Sequence, residues 1–235
     1  MKIEKTEFSF EQSLKYLDEL NQHLRDKEDY PEFHSIEVEA LPTAKVAKVY
    51  CSIMYIEILR ASKEEGKEKE YAYSGTVSLI LKLLQSAEGL LHLDLQTDGS
   101  IMALFNTPMK KDVEELVILA AQVRSVNDVA LTKFQIGLDK QVVSVGMDYG
   151  PVSCFVTGHS AIDPIYRGPS MTWAKNMASR HVGHVNISND IYINLSDDMQ
   201  QNLFVNHDEY EGLPCHYSPL INIKMDKWVK EQQKK

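Results

Sequence analysis

A few side chains in this sequence have the type and spacing to do chemistry, and they are acids, two imidazoles, and a cluster of hydroxyl, amide and basic groups. Asp98 stands at the turn of the stretch Leu91-His92-Leu93-Asp94-Leu95-Gln96-Thr97-Asp98-Gly99-Ser100-Ile101-Met102-Ala103-Leu104-Phe105. A carboxylate fixed at such a turn either caps backbone amides or, with a second carboxylate facing it, holds a divalent cation such as Mg or Mn. Asp148, just before Tyr149-Gly150, is the candidate second acid. His181-x-x-His184 places two imidazoles near one another, but no Cys or further His completes a zinc set. His207, Asp208 and Glu209 read as loop residues. The chain has no Gly-x-x-x-x-Gly-Lys-Ser/Thr phosphate loop and no Gly-x-Ser-x-Gly nucleophile elbow.

The elements that must position these groups follow from periodicity. In the first arm of the hairpin Leu91, Leu93 and Leu95 point one way and His92, Asp94 and Gln96 the other, the period of a strand with one buried face. Asp-Gly supplies the turn, since glycine accepts the positive φ that other residues resist. Before it, Val46 to Ile58 reads as a strand with Val49, Cys51 and Ile53 on one face and Lys48, Tyr50 and Ser52 on the other. The charged run Glu64–Glu70 reads as a solvated loop or helix end. Ser74 to Leu84 then carries an apolar stripe of Val77, Ile80, Leu81 and Leu84, and a second helix is marked by Val113, Leu116, Ala120 and Val123. A strand over Val142 to Asp148 completes the series.

The order strand, helix, strand, strand, helix, strand predicts an α+β fold with a ferredoxin-like βαββαβ core, both helices on one face of an antiparallel sheet and the other face open. Tyr50, Ser52, His92, Asp94, Gln96, Ser144 and Asp148 are expected to line the open face. The last strand neighbours the first in this topology, so Asp148, at its end, is expected to approach Asp98 across Ser52 and form a two-carboxylate metal site. Ahead of the core, Ser9-x-x-Gln12 with Phe10, Leu14, Leu17 and Leu24 predicts an amphipathic helix that packs on its own domain or docks a partner, and Pro31 to Pro42 reads as a connector.

Bulk properties exclude several classes. A formal net charge of −9 without clustered Lys and Arg argues against nucleic acid as a partner. The longest apolar run, Leu116 to Ala121, is too short to cross a bilayer, and Met1-Lys2-Ile3-Glu4-Lys5 has no signal core, so a cytoplasmic protein with no membrane span is expected. Cys51, Cys154 and Cys215 lack Cys-x-x-Cys spacing and read as buried, reduced thiols.

Three segments together resemble the catalytic domain of the class III nucleotide cyclases, the adenylate and guanylate cyclase family. Val49-Tyr50-Cys51-Ser52-Ile53-Met54-Tyr55-Ile56-Glu57 stands where the family has a strand ending in Asp-Ile-x-Gly-Phe, and Thr97 to Phe105 is similar to its Gly-Asp hairpin. Gly146-Met147-Asp148-Tyr149-Gly150-Pro151-Val152, with Tyr166 to Ala178, resembles its Gly-Ile-x-x-Gly strand-turn and Gly-x-x-Val-Asn-x-Ala-x-Arg helix. Val185 to Tyr192 resembles the short strand and Ser-capped helix that follow. The resemblance spans about residues 44 to 220 and divides the chain into an N-terminal helix and connector over 1–43, a cyclase-homology domain over 44–222 and a basic tail over 223–235.

The resemblance implies a two-metal reaction in which paired carboxylates hold Mg or Mn against a nucleoside triphosphate. It places one acid at Asp98 and the other at Ser52, a neutral residue. It places the base-reading Lys at Asp94 and its acidic partner at Ile165, the ribose-orienting Asn at Thr172, and the transition-state Arg at Asn176. Tyr50, Thr172, Lys175 and Arg180 remain as nucleotide-binding candidates. A degenerate cyclase-like domain is therefore expected, a nucleotide-binding or regulatory module in cyclic-nucleotide signalling. The alternatives are an active cyclase of altered base preference, for example a pyrimidine cyclase, using Asp98 and Asp148 for metal, and a fold-only scaffold. The family builds its sites between two chains, which implies a homodimer or a heterodimer with a cyclase-like chain.

Overall fold

The computed structural model describes residues 32–33, 46–60, 67–155 and 164–234. The expected N-terminal helix and the start of the Glu64–Glu70 run lie outside the described residues. The elements in chain order are strands β1 (Glu32–Phe33) and β2 (Val46–Arg60), helix α1 (Lys67–Gln85), strands β3 (Leu90–Leu95) and β4 (Ile101–Phe105) and helix α2 (Lys110–Lys133). A 3₁₀ turn at Leu138–Lys140 leads into β5 (Gln141–Phe155), followed by β6 (Ile165–Arg167), α3 (Pro169–Ala178), β7 (Val185–Ser188) and α4 (Asn189–Tyr192). Helix α5 (Asp197–Leu203), strands β8 (Asn206–Tyr210) and β9 (Leu213–Ser218), and α6 (Ile223–Gln232) close the described chain.

The strands form one sheet in the order β3-β4-β2-β5-β7-β9-β8. Its first four members are the expected ferredoxin-like core, mutually antiparallel, and β7 joins parallel to β5 to begin the extension. The stretch read as a connector contains β1, which runs parallel to β2 with Glu32 opposite Lys48.

Strand β2 has apolar residues on both faces. Met54 and Ile56 pack with Ile80 and Leu84 of α1 and with Val113 and Val117 of α2. Val49, Cys51, Ile53 and Tyr55 pack on the other side with Val152, Cys154, Tyr166 and with Ala174 and Ala178 of α3. The sheet face expected to be open is thus partly roofed by α3. Gly146 allows this: a Cβ there would lie 2.0 Å from the Ala174 carbonyl oxygen and 2.3 Å from the Ala178 nitrogen, so the helix seats directly on the strand.

Two corrections to the expected open face follow from register. Strand β2 pairs with β5 residue for residue, Val46 to Arg60, without a bulge, so Tyr50 and Ser52 share the side of Met54 and Ile56, beneath α1 and α2. Ser52 is fully buried there, its hydroxyl 2.7 Å from that of Thr107. Strand β5 continues past Asp148 to Phe155, so Asp148 lies in mid-strand.

A buried polar set joins three elements at the start of β5. The Gln141 side-chain amide donates to Thr76 of α1 at 2.9 Å and to the Asn127 side-chain carbonyl of α2 at 2.8 Å, and Asn127 donates back to the Gln141 carbonyl at 3.1 Å. The segment read as a basic tail is a docked helix: Asn222 N–H donates to Ser125 of α2 at 2.7 Å, Arg124 donates to the Leu220 carbonyl, and Val229 is buried. Cys51, Cys154 and Cys215 are free and buried. Among the described residues no helix is long and apolar enough to cross a membrane.

Candidate functional site

The chemistry-bearing residues that converge do so at the hairpin tip, on the α3 side of the sheet. Tyr55 is the buried end of the arrangement. Its hydroxyl lies 2.5 Å from the Ser100 hydroxyl, which donates to Asp98 Oδ1 at 2.5 Å. The carboxylate can only accept, so the Ser100 proton goes to Asp98 and the Tyr55 proton to Ser100. Ser100 N–H adds a 3.0 Å bond to the same oxygen. Gly99, at φ 83°, closes the turn by donating to the Gln96 carbonyl.

The Ser100 hydroxyl, then its N–H, and the Lys175 ammonium hold the Asp98 carboxyl below the usual carboxylate range. Lys175 comes from α3 and sits over the Tyr55 ring, 5.5 Å from its centroid. One turn on, Ser179 donates to Glu57 Oε2 at 3.3 Å. Thr172, Lys175, Asn176 and Ser179 recur at helical spacing and form one stripe of α3 bordering the site. From the other side Tyr73 of α1 reaches the Gly99 carbonyl at 3.4 Å, while Arg60 covers the Tyr73 ring at 4.0 Å and binds Glu70 at 2.6 Å. Asp94 completes the hairpin side, accepting from the Gln96 amide at 2.5 Å.

Several expected site residues lie elsewhere. Asp148 stands opposite Ile53, three positions down β2 from the Ile56–Ile101 pair that precedes the hairpin tip, about 10 Å of strand. It faces α3 and is 5% exposed, hydrogen-bonded by Ser188, the Tyr149 N–H and Ser170. Burial pushes its carboxyl above the ordinary value. The structure does not bring Asp98, Ser52 and Asp148 together. Tyr50 lies on the helix side of the sheet, away from α3. Arg180 turns to the β8–β9 hairpin, 2.5 Å from Asp208 and 3.1 Å from the Glu209 carbonyl, over the Tyr210 ring. Ile165 sits in β6, 37% exposed and without polar capacity. His207, Asp208 and Glu209 are strand residues, not loop.

The fit to Mg or Mn is poor as the side chains stand. Asp98 Oδ1 is occupied by two donors, Ser52 points to the opposite face, and among the described residues no three His, Cys, Asp or Glu converge as a cation cage. Glu57 is the acid that sequence reasoning missed. It shares the face of Ile53 and Tyr55 and stands opposite Ser144, beside the hairpin tip. Carrying the alternation of Val49, Cys51 and Ile53 two steps further would have found it.

Comparisons with known proteins bear on the fold. No family model matches the sequence and no curated protein is similar to it in sequence. Solved structures do match. The adenylyl cyclase CyaB from P. aeruginosa superposes with a TM-score of 0.60 at 14% identity, covering 74% of this chain and 95% of that one. The guanylate cyclase domain of RhGC from Catenaria anguillulae, in complex with GTP, superposes at 0.51 and 15% identity, covering 76% of this chain and 100% of that one. A class III adenylyl cyclase-like ATP-binding protein from Pseudomonas aeruginosa matches at 0.53 and 17% identity over 96% of this chain and 48% of its own length.

Proposed function

We propose that this chain, which has the fold of the class III nucleotide cyclase domains, is a divergent cyclase-related module that binds a nucleoside triphosphate and is impaired in ring closure. The observation that carries the reading is the fate of the acids. Ring closure needs two carboxylates to gather metal ions that activate the ribose hydroxyl and neutralise the phosphates. Here Asp98 is engaged by Ser100, the position the resemblance gives to its partner is Ser52, on the other face of the sheet, and Asp148 is enclosed by hydroxyls. The position matching the transition-state arginine is Asn176, and loss of such a charge costs several powers of ten in rate.

What remains suits binding. Lys175 offers a cation to phosphate, Thr172 a hydroxyl, and Asp94 with Gln96 a polar edge for a base. A dimer, with itself or with a cyclase-like chain, would bring a second set of such groups to the face beside α3. A regulatory role in cyclic-nucleotide signalling follows from binding without turnover.

One observation favours a second reading, an active cyclase of altered base preference: Lys175 acts on the Asp98 carboxylate, and Glu57, one residue beyond the Ile56–Ile101 pair, adds a second acid on the same face of the sheet. Incubating the purified protein with each of the four ribonucleoside triphosphates and Mn²⁺, while measuring binding and cyclic product, separates the readings. Binding without product is the expected result. Product formation that Asp98→Ala abolishes would establish the active reading, and neither binding nor product would leave the fold as scaffold alone.

A further inference from the structure

At the far edge of the sheet a buried imidazole has no hydrogen-bond partner. His216 of β9 is 9% exposed, yet neither Nδ1 nor Nε2 meets a donor or acceptor among the described residues. A buried polar group left so loses its hydration without a return, and native folds keep such groups rarely and for a reason. Its orientation is fixed, because the ring stacks on Tyr192 of α4 at 3.5 Å and 3°. Directly opposite it across the β8–β9 ladder stands His207, an exposed residue whose ring centroid is 6.1 Å away.

We propose that His207 and His216 form a two-imidazole site for a borderline divalent transition-metal ion such as Zn²⁺ or Ni²⁺. Imidazole nitrogens bind these ions at about 2.0–2.1 Å, and two rings on one ion have centres roughly 5–6 Å apart. The observed separation needs only a small turn of the exposed His207 ring. Burial, and after it the neighbouring His207, push the His216 pKa below its ordinary value, which keeps the ring neutral with a lone pair to give. With no third His, Cys, Asp or Glu converging among the described residues, water supplies the remaining ligands. The ion binds where it could tie the edge strand β8 to β9, remote from Asp98. The other histidine pair is differently placed: His181 and His184 flank the Tyr217 ring, His184 Nδ1 lies 3.0 Å from the Val182 carbonyl and His181 Nε2 lies 3.6 Å from Asp208.

Calorimetric titration of the full chain with Zn²⁺ and with Ni²⁺ tests this. The expected result is one ion per chain, with affinity falling by roughly tenfold or more, at least the scale of a change in a ligand's own support, in His207→Ala and in His216→Phe. The phenylalanine retains the stack on Tyr192, and His207→Ala changes only an exposed side chain, so an unaltered circular dichroism spectrum separates lost binding from lost fold. His184→Ala is expected to bind as the parent does. Absence of binding, binding that survives His207→Ala, or binding that His184→Ala removes would each overturn the proposal. In Cu²⁺-doped samples, paramagnetic broadening confined to His207 and His216 supports it, and broadening centred on His181 and His184 refutes it.

Discussion

Removing the Ser100 hydroxyl should expose how the hairpin tip is held. Ser100 is 4% exposed and takes the Tyr55 hydroxyl at 2.5 Å while donating to Asp98 at 2.5 Å. In Ser100→Ala the Tyr55 hydroxyl, on a side chain 4% exposed, is left buried without a partner, at about 1–3 kcal/mol. The lost bond to Asp98 adds about 1 kcal/mol, because water reaches that carboxylate and replaces much of it. Tyr55→Phe alone forfeits one neutral bond, about 1 kcal/mol, since Ser100 keeps Asp98. In the double variant no orphan hydroxyl remains, so its cost falls short of the sum of the singles by about 1–2 kcal/mol. Urea unfolding followed by circular dichroism gives all four free energies. Costs that add to within about 0.5 kcal/mol would refute the relay. The same variants carry a pH signature. Ser100 lowers the folded-state pKa of Asp98, so the parent holds that stabilisation fully above the unfolded carboxylate value and loses it as pH falls through the folded one. Ser100→Ala should therefore lose less stability than the parent below about pH 4.

Three further outcomes are expected. Gly146→Ala places a methyl 2.0 Å from the Ala174 carbonyl oxygen, where only backbone can yield, so α3 shifts off β5 at a cost of about 1–3 kcal/mol, read as a drop in Tm, and Lys175 moves from Tyr55. The Cys51 thiol, its pKa pushed up to about 12 by burial, should stay unreactive to an exposed-thiol reagent at pH 8 in the folded chain and react on addition of denaturant. Burial raises the folded-state pKa of Asp148, so its charged form weighs against folding at neutral pH and is relieved as pH falls through that value; relative to Asp148→Asn, the parent should gain stability as pH falls from neutral toward the ordinary carboxylate value of about 4, measured as the shift in urea midpoint.

The hairpin and the order of core elements were legible because each rests on a local pattern: the Asp-Gly turn between two apolar arms, and the stripes of Ile80 with Leu84 and of Val113 with Leu116. The unbroken alternation expected of Leu91, Leu93 and Leu95 does not hold: a register shift between Leu90 and His92 turns Leu91 to the α3 side, while Leu93 packs under the helices and Leu95 is exposed. The side on which the site lies was not legible, for a physical reason. Strand β2 is packed on both faces, so Ser52 and Tyr50 looked like an exposed polar face when they are two hydrophilic positions in a row that continues as Met54 and Ile56. The roof that makes the second face apolar, α3, comes more than a hundred residues later, and no local pattern around Ser52 reveals it. Asp148 failed in a related way. Tyr149-Gly150-Pro151 reads as a turn, but Gly150 and Pro151 pair within the long ladder to β2, and that extension moves Asp148 from a strand end to its middle. His216 carried no signal at all, since only the pairing of β8 with β9 puts His207 opposite it.

The unbroken ladder between β2 and β5, Val46–Phe155 through Arg60–Gln141, has a consequence for how this chain can change. A sheet bound in register over fifteen residues on both strands cannot slide by one step without turning every side chain to the wrong face. The positions of Tyr55 and Glu57 are thereby locked to one another and to Gly146. Any gain or loss of activity by substitution must work through the parts laid onto this beam, the hairpin tip and the exposed stripe of α3, which can be rewritten residue by residue while the frame beneath them stays fixed.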